Sequence, residues 1–301
     1  MVASLMSALP GSVAQGLIWG IMAIGVYITF RILDIADLTV DGTMCTGGAV
    51  CIMMMLSGHN VWISMLAATL AGMLAGLVTG IFHTFMGIPA ILAGILTQLG
   101  LYSINMRIMG KANQAISVMQ YDVLVSLRYI PHACLLTTGF CIVIIALLYW
   151  FFGTEIGASV RATGCNPNMA RAQGINTNAT KVLGLVISNG LVGLAGALYA
   201  QYQGSADINM GRGAIVIGLA AVIIGEVVFG KISQNFGFKL FSVAFGAIIY
   251  YLVLQVVLWM GLNSNDLKLL SALVVAVFLA IPYMKGKYFS KPVKRGGAPR
   301  A

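Results

Sequence analysis

Asp34, Asp37 and Asp41 fall at i, i+3 and i+7 in the stretch RILDIADLTVDGT, with Arg31 one turn ahead of Asp34 and long apolar runs on either side. On a helix this spacing places the three carboxylates on one face and lets Arg31 pair with Asp34. A chain of 301 residues that owns eight acidic residues concentrates three of them here. A charge at membrane depth costs from about 3 to more than 10 kcal/mol, so such a group faces a cavity, a partner or water. The glycines of the following DGTMCTGGAVCIMMML suit a broken helix beside a path for solute. The plainer alternative is a cytoplasmic turn with solvated charges.

Glu226 is the second anomaly, a carboxylate inside the apolar run GLAAVIIGEVVFG. It is either a functional acid or a group near the inner end of a span that snorkels beside Lys231. Asn189, Gln98 and Asn105 are uncharged polar groups inside apolar segments, where interhelical hydrogen bonding competes with a ligand role. GEVVFGK, Gly225 to Lys231, imitates a phosphate-binding loop. Ile232 stands at the Ser/Thr position, however, and a membrane span precedes it where a strand is required, so no nucleotide site is expected in this chain. Gly72, Gly76 and Gly80 form a ridge for close helix packing. His59, His83 and His132 lie far apart with no zinc or serine-hydrolase spacing, and the five cysteines read as small apolar fillers. No catalytic set, no metal site and no enzyme is expected.

These residues must be positioned by membrane helices. The chain is 59% hydrophobic and 8% charged, where soluble domains carry about 25% charge. The fold class expected is an all-α polytopic membrane protein. Its spans are nine, at about 11–33, 40–56, 61–84, 88–109, 133–152, 182–203, 213–230, 238–260 and 267–284, with the second and seventh short or broken. The first run lacks a basic n-region and is expected to be retained. Alternation from a cytoplasmic tail puts twelve of the seventeen Lys and Arg residues inside, which favours N-out, C-in. Residues 1–284 form one transmembrane domain, and 285–301 a basic cytoplasmic tail suited to lipid headgroups rather than nucleic acid.

Two polar excursions stand out. The outer one, 110–132, is of mixed polarity and is able to pack on the surface or receive a partner. The inner one, 153–181, contains NPNMARAQG, where Asn166 can cap, Pro167 suits the first helical position and Gly174 can end a helix of about two turns. So short a helix needs something to dock on.

In this order the features resemble the membrane-spanning permease subunits of bacterial ATP-driven importers of the branched-chain amino acid and ribose family. IMAIGVYITFRILDIADLTVDGTMCTGGAV looks like that family's first block, met by Asp37, Leu38, Thr39, Val40, Gly42 and Thr43. TEIGASVRATGCNPNMARAQGIN looks like its cytoplasmic loop, met by Arg161, Ala162, Gly164, Asn166, Gly174, Ile175 and Asn176; VISNGLVGLAGALYA and IGLAAVIIGEVVFG follow in order. The resemblance implies a permease of the bacterial inner membrane with a second permease chain, a homodimer being favoured, and the path between the two. It implies a separate cytoplasmic ATPase that holds ATP and Mg and receives 166–174, Pro167 and Ala170 included, as a coupling helix. An extracytoplasmic binding protein would meet 57–60, 110–132, 204–212 and 261–266. Asp34, Asp37, Thr39, Asp41, Gly42, Thr43, Asn189 and Glu226 then become candidates for the path or its gate, where the aspartates would gate solute or accept hydrogen bonds from backbone N–H groups at helix ends.

The run RILDIADLTVDGT with GIPAILAGILTQLGLYSINMRIMG looks closest to permeases of amino acid uptake, aromatic amino acids among them, with sugar or nucleoside behind. Two competing classes are a secondary transporter with Asp34, Asp37, Asp41 or Glu226 as proton carriers, and a polytopic lipid enzyme. The first leaves 153–181 unexplained, and the second needs a clustered catalytic set that the sequence does not show.

Overall fold

The computed structural model describes residues 2–230, 232 and 235–259, with isolated positions between 269 and 280. Helix α1 (Val2–Tyr27) continues into one π-helical turn, Ile28–Ile32, and the chain then leaves helical geometry until α2 (Thr39–Leu56). α3 (Val61–Thr84) and α4 (Ala90–Met109) follow, and strand β1 (Asn113–Ala115) leads on to α5 (Ile130–Gly153). Two shorter helices, α6 (Glu155–Cys165) and α7 (Pro167–Ala172), precede the long α8 (Thr177–Gln203). Strand β2 (Ser205–Asp207), α9 (Ala214–Phe229) and α10 (Phe236–Trp259) complete the described elements.

Among the described residues, seven helices are long and apolar enough to cross a bilayer, and they coincide with seven of the nine expected spans. The expected span 213–230 is instead α9, a 16-residue helix shorter than a crossing needs. The residues before it, 205–213, fold back along α2: the Cys45 thiol approaches the Asp207 carbonyl, and a Cβ on Gly211 would collide with the Asp41 carbonyl. The ninth expected span, 267–284, and the tail 285–301 lie outside the described residues, apart from isolated positions in the former. α6 was not anticipated; Thr154 caps it by accepting from the Gly157 N–H.

Burial sorts the helices into a centre and a rim. In the apolar windows of Ala8–Ile32 and α2, 83% and 72% of residues are buried, against 28% in those of α4 and α5. Central helices are buried on most sides, while the rim helices turn Leu66, Leu70, Leu74, Leu92, Leu99 and Leu135 outward, as lipid-facing surfaces do. The Gly72–Gly76–Gly80 ridge of α3 packs on α8. A Cβ at Gly72 or Gly76 would strike the carbonyl oxygens of Asn189 and Leu185, so these positions set how near α3 comes to α8.

β1 pairs antiparallel with β2, Gln114 opposite Ala206, and joins the loop after α4 to the end of α8. At the other end of the bundle, α6 lies on the start of α8 through a 2.8 Å contact between the Thr163 and Thr180 hydroxyls. α6 also lies on the π turn, where a Cβ at Gly164 would overlap the Ile32 carbonyl oxygen. Of the segments expected outside, 57–60 and 110–132 therefore sit toward one end, 204–212 runs from that end back along α2, and 261–266 lies outside the described residues; the segment 153–181 expected inside sits at the other end.

Candidate functional site

The three aspartates do not share a helix face. The π turn closes through Leu33 N to the Ile28 carbonyl (3.1 Å), and Asp34 then takes a left-handed backbone, φ 55°, so the helical register is lost before Asp37. Asp34 is exposed, Asp37 is fully buried and Asp41 is half-buried in the first turn of α2. Arg31 does not pair with Asp34. Its Nε donates to Glu226 Oε1 at 2.8 Å and its Nη2 to Glu226 Oε2. Pairing with the carboxylate of α9 satisfies both prongs of the guanidinium, which Asp34, turned outward, does not do. The Glu226 side chain is one-third exposed and pairs with Arg31; Lys231, the partner the sequence offers for it, lies outside the described residues.

Asp37 organises a buried polar network across four helices. Its Oδ1 accepts from the Thr39 N–H at the start of α2 (2.9 Å), and its Oδ2 accepts from Asn189 Nδ2 (2.7 Å). Asn189 Nδ2 also donates to the Leu185 carbonyl (3.1 Å), while its Oδ1 accepts from the Thr43 hydroxyl (2.7 Å). A relay of threonines extends the network outward. The Thr39 and Thr79 hydroxyls are 2.7 Å apart, and Thr79 Oγ1 donates to Thr97 Oγ1 at 2.9 Å. Thr97 in turn donates to the Ala93 carbonyl at 3.0 Å, so with one proton per hydroxyl the donors run from Thr39 to Thr79 to Thr97. Thr79 and Thr97 escaped the sequence reading. Their signal was a hydroxyl beside the glycine ridge in GLVTG and another in ILTQLG, too common in membrane helices to single out.

The network is deep. Asn189 stands about 18 Å along α8 from its first residue, at 1.5 Å per residue, so the α1–α2 break reaches well into the bundle. Gly42 faces Gln98 and Leu101 of α4. Asn105 Nδ2 lies 3.5 Å from the Gly42 carbonyl.

Asp41 and Arg31, on opposite sides of this break, hold α9 at both ends. Asp41 Oδ2 accepts from the Gly213 N–H and Oδ1 from the Ile215 N–H, both at 3.0 Å, so one carboxylate faces the free N–H groups where α9 begins. Arg31 grips Glu226 one turn from the other end. The N-terminal partner is the loop NMGRGA, whose glycines allow the close approach.

In 153–181, Asn166 Oδ1 accepts from the Asn168 and Met169 N–H groups at 3.1 Å each and caps α7, with Pro167 at its first position. Ala170 is its buried residue, and Met169, with 59% of its surface accessible, points outward. Gly174 takes φ 83° and ends the segment, and the Ile175 N–H bonds the Ala170 carbonyl. Asn176 then caps α8 through the Asn178 and Ala179 N–H groups. Arg161 is exposed on α6, and Arg171 donates to Thr177 Oγ1 at 2.7 Å. At the opposite end, 57–60 and part of 110–132 meet in a cleft of about 540 Å³ whose lining includes His59, Asn60, Trp62, Tyr121 and Asp122.

Residues 9–282 match the family described as branched-chain amino acid transport system, permease component. The tyrosine transport system permease protein of Clostridioides difficile (strain R20291) is 39% identical over 275 residues, 91% of this chain and 91% of that protein. The fructose import permease protein FruF of Bifidobacterium longum (strain NCC 2705) is 26% identical over 88% of this chain and 74% of its own. Among solved structures, PsaBC from Streptococcus pneumoniae in complex with Fab shares the fold, with a TM-score of 0.55 at 17% identity over 95% of this chain and 100% of the matched one. With a family match across nearly its whole length, and helices long enough to span a bilayer many times, this multi-pass membrane chain belongs to the permease components of branched-chain amino acid-type ATP-binding-cassette transport systems.

Proposed function

We propose that this chain is the membrane subunit of an importer that carries an amino acid inward across the bacterial inner membrane. A separate cytoplasmic ATPase, holding ATP and Mg, drives it, and an extracytoplasmic binding protein supplies it. The observation that carries the reading is the 39% identity, across 91% of both chains, to a tyrosine transport permease. In this reading the N-terminus faces out and two copies form the path between them.

Contacts within the chain support a route from ATPase to path. α7 presents Met169 to a partner groove, and α6 carries Arg161 and lies through Gly164 against the π turn that leads into the Asp37 break. Displacement of α7 would thus reach the start of α2 and, through Asp41 and the Arg31–Glu226 pair, both ends of α9. Asp37, Thr39, Thr43 and Asn189 act by positioning, since they are buried within one chain. Gly42 admits α4, and Asp34 marks the exposed corner. The cleft at His59 and Tyr121 is the surface for the binding protein.

Uptake by cells expressing this chain with the ATPase and binding protein encoded beside it tests the substrate. Labelled tyrosine should accumulate, with unlabelled phenylalanine and leucine as competitors. Accumulation of fructose or a nucleoside, with no competition by amino acids, would overturn the amino acid reading.

A further inference from the structure

Where α1 and α9 end and α10 begins, a polar cleft of about 380 Å³ opens, lined by Tyr27, Arg31, Glu226, Phe238, Lys239 and Ser242 among others. Among the described residues the one ion pair joins Arg31 to Glu226, which leaves Lys239, exposed at the rim, as the cleft's uncompensated cation. The cleft is continuous with an aromatic ladder. Phe229 lies 6.3 Å from Phe238 and 5.8 Å from Phe245, ring centre to ring centre, and Phe241 lies 6.2 Å from Phe238 and 4.7 Å from Phe245. Phe241 and Phe245 keep 42% and 38% of their surface accessible on a helix of membrane length.

We propose that cleft and ladder together form a binding site for one anionic phospholipid of the leaflet at this end of the bundle. The phosphate would sit at Lys239 and the exposed side of the Arg31 guanidinium, and the acyl chains would lie along Phe238, Phe241 and Phe245. The net positive charge of the cleft selects an anionic headgroup over a zwitterionic one. The ladder selects a lipid over free phosphate or an amino acid, because a small polar ligand would leave the phenylalanines uncovered. The site lies where Arg31 grips Glu226, so a bound lipid would brace the end of α9. The inference requires that the chain spans a membrane, not that it carries an amino acid.

Native mass spectrometry of the full-length chain in mild detergent tests this with phosphatidylglycerol, phosphatidylcholine of the same acyl chains, and inorganic phosphate as probes. Phosphatidylglycerol should bind about fivefold better than phosphatidylcholine, roughly the preference one basic residue confers. Lys239→Ala should erase that preference, and Phe241→Ala with Phe245→Ala should weaken both lipids alike. Both sites are exposed, and the wild-type preference is itself a readout that needs no variant. Equal binding of the two lipids to wild type, displacement of lipid by phosphate, or a ladder variant that changes oligomeric mass instead of lipid count would each overturn the proposal.

Discussion

Asp37→Asn lowers uptake about tenfold or more while the chain still inserts at normal level. The substituted amide keeps an oxygen for the Thr39 N–H, but it turns an NH2 toward Asn189 Nδ2, now 2.7 Å from Asp37 Oδ2. Two donors then face each other in a buried site, where one unsatisfied group costs about 1–3 kcal/mol. The reverse exchange supplies a control. Asn189→Asp in the same chain restores an acceptor opposite the donor and still accepts from the Thr43 hydroxyl, losing the bond to the Leu185 carbonyl. Uptake should recover in the double variant. Unchanged uptake in Asp37→Asn, or no recovery in the pair at equal membrane levels, would show that the network does not position the α1–α2 break for transport.

Met169→Asp has the second large effect. With more than half of its surface accessible, the side chain contributes little to the stability of the free chain, so the variant should insert and purify normally. Its association with the ATPase should weaken by about 30-fold, the loss expected when a central contact worth about 2 kcal/mol is replaced by a desolvated charge. ATP hydrolysis stimulated by the permease should fall in parallel. Normal association and stimulation would exclude α7 as the docking helix.

These two elements differ in how far the sequence alone revealed them. α7 was legible because its determinants are local: an asparagine cap, a proline at the first position and a glycine past the end act within nine residues. The helices of membrane length were legible for the same reason, since length and hydropathy are properties of a segment. The arrangement of Asp34, Asp37 and Asp41 was not. The i, i+3, i+7 reading assumed an unbroken helix, and the π turn at Ile28–Ile32 with the left-handed Asp34 removes that assumption. Helical spacing offers Arg31 a neighbour three residues away, whereas its partner lies 195 residues on. Asn189 reads from sequence as a polar group in a span, but its pairing with Asp37 depends on how closely α3 and α2 approach α8. Glycine contacts distributed over the whole chain set that approach. The shortness of α9 is legible in its glycine-bounded run, whereas the loop that folds back onto α2 ahead of it is a tertiary event with no local signature beyond its glycines.

In the proposed function a separate ATPase drives transport through this chain. Solute uptake into proteoliposomes holding the chain, its ATPase and its binding protein, with the proton gradient collapsed by an uncoupler, separates ATP-driven from proton-driven transport. Uptake that needs ATP, persists without the gradient and is absent for the chain alone is the predicted result. Uptake by the chain alone, driven by a proton gradient and indifferent to ATP, would contradict the account and make the carboxylates of the break a proton relay.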